Sequence, residues 1–203
     1  MNHTKNIIID AFWQLLEEKP YNKITVKDVV DRCHLNRNTF YYHFHDIPEL
    51  LENSIKSEHE HIIQTYCNFG SPIDCITPII QNTLQHKKAV LHIYRSLQRE
   101  VFLNSLNELS LHMVTKYIDT ATATLTLPPE DRALFIRFYK CALVGVYLDW
   151  LDNGMNYDLE KSFIRITELH HGSGKQAILK SAEAISTNKT QNVMQHFQTQ
   201  QGQ

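Results

Sequence analysis

Leu35-Asn36-Arg37-Asn38-Thr39-Phe40-Tyr41-Tyr42-His43-Phe44-His45-Asp46 is the stretch whose reading decides the fold. It places short polar, basic and hydroxylated aromatic side chains on about two turns of helix, directly after an amphipathic segment and a tight turn. That is how a protein presents hydrogen-bond donors to a DNA groove. Asn36 can accept from the open amides of a first turn and so start a helix reaching about His43. Phe40 and Phe44, four residues apart, then share the core-facing side, which leaves Arg37, Asn38, Tyr41, Tyr42 and His43 outward.

Upstream, Ile8, Phe12, Leu15 and Leu16 form an i, i+4, i+7, i+8 stripe that only a helix puts on one face, over about Thr4 to Glu18. Pro20 ends that helix, because it cannot donate inside one and biases Lys19 away from helical angles. Thr25-x-x-Asp28 reads as a capping box for a second helix, about Thr25 to Cys33, with Val26, Val29 and Val30 on one side. Downstream, Asp46-x-x-Glu49, with Pro48 in the first turn, opens a long fourth helix reaching about Tyr66.

The whole chain supports a helical reading. It has 203 residues, 42% of them hydrophobic and 21% charged, and only 6 Gly and 6 Pro, too few for a chain built from tight turns. The expected fold class is all-α. The net charge of −2 spreads no basic field over the molecule, so a nucleic-acid contact must come from a local patch. Cys33, Cys67, Cys75 and Cys141 contain no Cys-x-x-Cys pair, which suits a reducing compartment and not a zinc finger. The apolar run Ile7 to Ile9 is too short for a signal-peptide core or a membrane span, so a cytoplasmic protein with no membrane partner is expected.

The run Ile24-Thr25-Val26-Lys27-Asp28-Val29-Val30, the turn at Cys33-His34-Leu35, and Asn36 to Phe44 followed by Glu49-Leu50 resemble the helix-turn-helix domain of the TetR family of transcriptional regulators. The resemblance covers roughly residues 5 to 52. It implies a three-helix DNA-binding head on an all-helical body that binds a small-molecule effector and forms a homodimer, with the third helix in the major groove of double-stranded DNA. Repression is the mode it implies.

By position, the resemblance assigns Arg37 and Asn38 to base edges, and Thr25, Lys27, Tyr41, His43 and His45 to phosphates. Tyr42 is open to either role, and Asn36 and Thr39 complete the candidate DNA-binding set. Three positions depart from the family pattern. His34 stands where Gly is common, which points to a left-handed turn residue. Asn38 replaces a common Gly or Ala and adds a side chain able to bond adenine bidentately. Ile47 replaces a frequent basic residue.

Charge is the main objection to a DNA-binding head. Residues 1–50 hold six basic side chains (Lys5, Lys19, Lys23, Lys27, Arg32, Arg37) and seven acidic ones (Asp10, Glu17, Glu18, Asp28, Asp31, Asp46, Glu49), a net −1. Few cations mean modest, salt-sensitive affinity per head, so a dimer would have to supply the rest.

Further helices are expected at about Ile73 to His86, Lys88 to Ser96 and Glu100 to Thr124, with breaks at Asn68 to Pro72 and Leu127 to Glu130. By resemblance these helices enclose the effector pocket. Tyr66, His92, Tyr94, Phe102, Leu106, Met113 and Tyr117 are candidate lining residues, with plain core as the other reading of each.

Cys141 to Leu151 is apolar on nearly all sides, which a surface helix of a monomer would not tolerate, and Asn153-Gly154 is its stop. One side should pack on its own subunit and the other on a partner, with a helix over about Asp158 to His171 beside it. Leu143, Val146, Tyr147, Trp150, Phe163 and Ile166 are the candidate dimer residues, against the alternative of a buried central helix in a monomer. The expected organisation is a head over 1–48, a body over 49–171 and a flexible tail over 172–203, with a short helix possible at Ala177 to Ile185.

The twelve histidines include no i, i+4 helical ligand pair. With no His-Glu-x-x-His, nucleophile elbow or glycine-rich phosphate loop either, neither an enzyme nor a metal site nor a cofactor is expected. A second reading remains: a TetR-like co-activator or interaction protein acting through another regulator, favoured slightly by the acidic balance of the head.

Overall fold

The computed structural model describes the backbone of residues 2–66, 72–169, 172 and 176–182, and the side chains of these except Asn2, Tyr66 and residues 72–75. The expected break at Asn68 to Pro72 and most of the tail lie outside the described residues. Regular structure among the described residues is helical throughout. The helices are α1 (Asn2–Glu18), α2 (Val26–Arg32), α3 (Arg37–His43), α4 (Ile47–Tyr66), α5 (Pro72–Gln85), α6 (Lys87–Tyr94), α7 (Arg99–Ala121), α8 (Pro129–Asp152) and α9 (Leu159–Leu169), with a 3-10 turn at Tyr21–Lys23. Residues 176–182 form one further helical segment. No helix among the described residues is long and apolar enough to cross a membrane.

The head is built by local signals. Thr25 caps α2 through a reciprocal box, its hydroxyl accepting from the Asp28 amide while Asp28 accepts from the Thr25 amide. The helix ends in a Schellman motif: the Leu35 amide donates to the Val30 carbonyl at 2.9 Å and the His34 amide to Asp31 at 3.4 Å. His34 closes this turn at φ 54°, the left-handed conformation its position implied. Asn36 then caps α3 by accepting from the Thr39 amide at 2.8 Å. At the start of α4, Asp46 accepts from the Glu49 amide at 2.8 Å, and Glu49 accepts from the His45 amide at 2.6 Å.

The apolar stripe of α1, Val29 and Val30 of α2, and Phe40 and Phe44 form one buried cluster with Leu50 and Leu51 of α4. That cluster does not stop at the end of the head. It runs on through Ile55 of α4 to Ala89 and Ile93 of α6. Polar contacts reinforce this seam: His92 Nδ1 donates to the Leu16 carbonyl at 2.7 Å, and the Ala89 amide donates to Glu17 Oε1 at 3.3 Å. Helix α1 therefore packs on α6, a long-range pairing that no local pattern announces.

In the body, α7 and α8 lie side by side and α9 packs on α5. Two aromatic residues expected at a subunit interface instead face inward from α8. Trp150 is fully buried and donates its indole N–H to the Tyr157 carbonyl at 2.9 Å. The Tyr147 hydroxyl meets Thr83 at 2.8 Å, and its ring packs against Trp150. Both belong to the subunit's own core with Ile80, Val90 and Leu151. A large aromatic with one polar atom suits that place, since burial removes much apolar area while the N–H or O–H keeps a partner.

Candidate functional site

The short, firmly capped α3 shows two chemically different sides. Phe40 and, just past its end, Phe44 are buried, whereas Arg37, Asn38, Tyr41 and Tyr42 are exposed, the two tyrosines at 54% and 69%. Thr25, Lys27, Asn36 and His45 are exposed too, and Thr39 and His43 are half-buried. The proposed contact residues, from the cap of α2 to the start of α4, are thus all exposed or half-buried.

Several of them already have local partners. Asn36 Oδ1 is committed to the Thr39 amide and hydroxyl, so only its amide group is left for an outside acceptor. The Thr25 hydroxyl gives its proton to Asp28 at 2.7 Å. Together with the Lys19 ion pair at 2.9 Å, that bond draws the Asp28 carboxyl down to a pKa of about 2. Lys19 and Arg32 are tied to Asp28 and Glu18, which leaves Lys5, Lys23, Lys27 and Arg37 as the head's cations outside ion pairs among the described residues, Lys5 donating to the Asn53 side chain.

A cavity of about 500 Å³ lies behind the head, where α1, α4, α5, α6 and α7 meet, with Tyr147 of α8 also in its wall. Asp10, Trp13, Gln14 and Glu17 of α1 line its outer wall, with His86 beside Trp13 and Glu17. Its deeper wall is apolar: Ile62, Ile79, Val90, Ile93, Phe102, Leu106 and Leu109. Polar groups are few and mostly paired. Asn82 donates to Glu58 at 2.8 Å, and the Tyr147 hydroxyl donates to Thr83, whose own proton goes to the Ile79 carbonyl. Burial pushes the Tyr147 hydroxyl up to a pKa of about 12.

His59 is the exception. Its Nδ1 lies 3.4 Å from the Ser105 hydroxyl, and its Nε2 is shielded from solvent with no hydrogen-bond partner among the described residues. An unmade bond of that kind costs about 1–3 kcal/mol. Burial also lowers its pKa from the ordinary imidazole value, since desolvation disfavours the charged ring.

Of the seven predicted pocket residues, Phe102 and Leu106 line this cavity. His92 is turned to Leu16, Met113 packs with Ile62 and Leu109, and Tyr117 packs against Val114 and Ile118. Tyr94 lines a separate cleft with Arg95, Arg99 and Asp152, its hydroxyl donating to Asp152 at 2.7 Å. The Tyr66 side chain lies outside the described residues. Side chains of one helix point in several directions, so lying on a middle helix does not aim a residue inward. The α1 wall went unpredicted, although Trp13, set off the Ile8–Phe12–Leu15 stripe, is the signal that could have marked a second contact face.

The outer face of α8 carries Leu134, Phe138, Cys141, Ala142, Gly145 and Val146, all exposed, with Leu134 at 61% and Phe138 at 65%. A Cβ built on Gly145 would meet nothing within 4 Å. Of the predicted interface residues Val146 and Ile166 are exposed, whereas Leu143 and Phe163 are half-buried against their own subunit.

A capped three-helix head with a polar recognition face, on a helical body holding a cavity, defines a helix-turn-helix regulator. Residues 8–53 match the family model described as bacterial regulatory proteins, tetR family. Residues 70–172, just over half the chain, match the model of a transcriptional regulator C-terminal region. The chain belongs to the TetR family of transcriptional regulators.

Solved structures with the same fold include the dihydroxyacetone kinase operon activator DhaS, 18% identical, covering 83% of this chain and 94% of that one at a TM-score of 0.71. The fatty acid degradation regulator FadR from Bacillus halodurans is 16% identical over 82% of this chain and 94% of that one, TM-score 0.59. A TetR/AcrR-family transcriptional regulator from Aquifex aeolicus VF5 is 18% identical over 82% and 98%, TM-score 0.57. No curated protein matches the sequence significantly.

Proposed function

We propose that the chain is a homodimeric, effector-responsive repressor that binds a near-palindromic operator in the cytoplasm. The head over 1–48 reads DNA, the body over 49–171 dimerises and takes the effector, and no reaction is catalysed. The observation that carries this reading is the division of α3: two phenylalanines anchor one side while Arg37, Asn38, Tyr41 and Tyr42 stand exposed on the other. Arg37 and Asn38, at the amino-terminal end, suit base edges, and Lys27, Tyr41, His43 and His45 suit the flanking phosphates.

The exposed apolar stripe of α8 is proposed as the subunit face, because a monomer rarely leaves such a row in water. Leu134, Phe138, Ala142 and Val146 follow helical spacing, and Gly145 admits a close partner helix. Two heads about 34–36 Å apart would then meet successive major grooves. Signalling is proposed to run from the cavity to α3 along two paths, because the cavity wall includes α4, on which the head is built, and α1 itself.

One observation favours the second reading, a co-activator acting through another regulator: two of the head's six cations are held in ion pairs. Electrophoretic shift titration against the chain's own promoter region, with the wild type and an Arg37→Ala/Tyr42→Ala double variant, tests the main reading. Sequence-selective binding that the double variant loses supports it. Regulation in cells that survives the double substitution would establish the co-activator reading instead.

A further inference from the structure

We infer that the cavity behind the head takes a small organic cation, an amine carried on an apolar body. This rests on reading the cavity as the effector site and adds the chemical class of the ligand.

Charge makes the first argument. Asp10, Glu17 and Glu58 stand in the cavity wall, and no Lys or Arg does. None of the three carboxylates forms an ion pair with Lys or Arg among the described residues. Glu17 accepts from the Ala89 amide and lies 3.7 Å from His86 Nδ1, and Glu58 holds only the Asn82 amide. At a partly enclosed site, unneutralised carboxylates attract a cation and repel a carboxylate or phosphate ligand, more strongly than in bulk water.

The rest of the wall fits the same class. The Trp13 and His86 rings stand 5.9 Å apart beside the exposed Asp10 and Gln14, giving an aromatic surface that a cation can approach. Ile62, Phe102 and Leu106 offer the apolar surface for a hydrocarbon or aromatic body, and about 500 Å³ admits a molecule of ordinary effector size. His59 lines the cavity too, and its Nε2 has no hydrogen-bond partner among the described residues.

Isothermal titration of the full-length protein with three probes of one skeleton tests this: 4-phenylbutylamine, 4-phenylbutan-1-ol and 4-phenylbutyrate, at pH 7.5 and moderate salt. The amine should bind about tenfold or more tighter than the carboxylate, with the alcohol between them. An Asp10→Asn/Glu58→Gln variant, which keeps an acceptor for Asn82, should bring the amine to within about threefold of the alcohol while alcohol binding stays unchanged. That unchanged alcohol binding also reports an intact cavity. Carboxylate binding equal to or tighter than amine binding, or an amine preference that survives the double substitution, would overturn the inference while leaving the effector cavity standing. Failure of all three probes to bind would overturn the cavity reading, and this inference with it.

Discussion

Arg37 is exposed at the first position of α3, and no partner holds it among the described residues. A guanidinium so placed can reach two acceptors of a guanine edge, so Arg37→Ala should weaken operator binding by about 1–3 kcal/mol and relax preference at one base position. Competition shifts with single-base operator variants measure both. Lys27, which lies on α2 and is proposed to meet a phosphate, should behave differently: Lys27→Ala should weaken all sequences alike and reduce the slope of log affinity against log salt by about 1. Thr25 is another case, because its hydroxyl proton is already given to Asp28. Its main role is structural, and Thr25→Ala should cost about 1 kcal/mol in urea unfolding. The same cap sets an acid limit for the head. With Asp28 near pKa 2 when folded against an ordinary 3.8, its contribution is present above about pH 4 and drains away as pH falls toward 2. Urea midpoints followed from pH 5 to 2 should show that decline, and Asp28→Asn should flatten its share of it.

At the scale of elements, the turn between α2 and α3 fixes the angle at which the recognition helix is presented, and it is closed by a residue at φ 54°. His34→Gly removes the steric cost of that conformation. It should raise unfolding stability by about 0.5–1 kcal/mol, less than the full left-handed penalty because glycine also loosens the unfolded chain. Denaturation followed by tryptophan fluorescence checks the sign. This turn was legible in the sequence, as were the caps at Thr25 and Asn36, the stop at Pro20 and the buried side of α3, because each is written within a few neighbouring residues. Helix α8 was not legible in the same way. Apolar residues on all sides give no preferred direction, so the inward Tyr147 and Trp150 could not be told from the outward Phe138 and Val146. The cavity was hidden for a related reason, since its outer wall depends on α1 meeting α6 across more than seventy residues of chain, as the Glu17 to Ala89 contact shows.

Across the whole molecule, one apolar cluster joins the head to α4 and α6, so the head's position is set by the body rather than by a hinge. In the proposed dimer, a change in subunit arrangement would therefore be passed on to α3, which would make the subunit face as consequential for DNA binding as the proposed recognition residues. Phe138 tests that dependence. Its ring is exposed at 65% in a single subunit and meets there the ring of its neighbour Tyr139, so a charge at this position removes little packing within the chain. In the proposed dimer, the same charge would be buried against an apolar partner with nothing to pair with, an arrangement that costs several kcal/mol. Phe138→Glu should thus convert the dimer to a monomer in sedimentation velocity while its helical circular dichroism stays unchanged. Operator affinity should fall much further than half, because the second head no longer binds at the high effective concentration that linkage provides. A Phe138→Glu protein that still sediments as a dimer would place the subunit contact on another face, and the spacing argument for a two-groove operator would then have to be rebuilt from that contact.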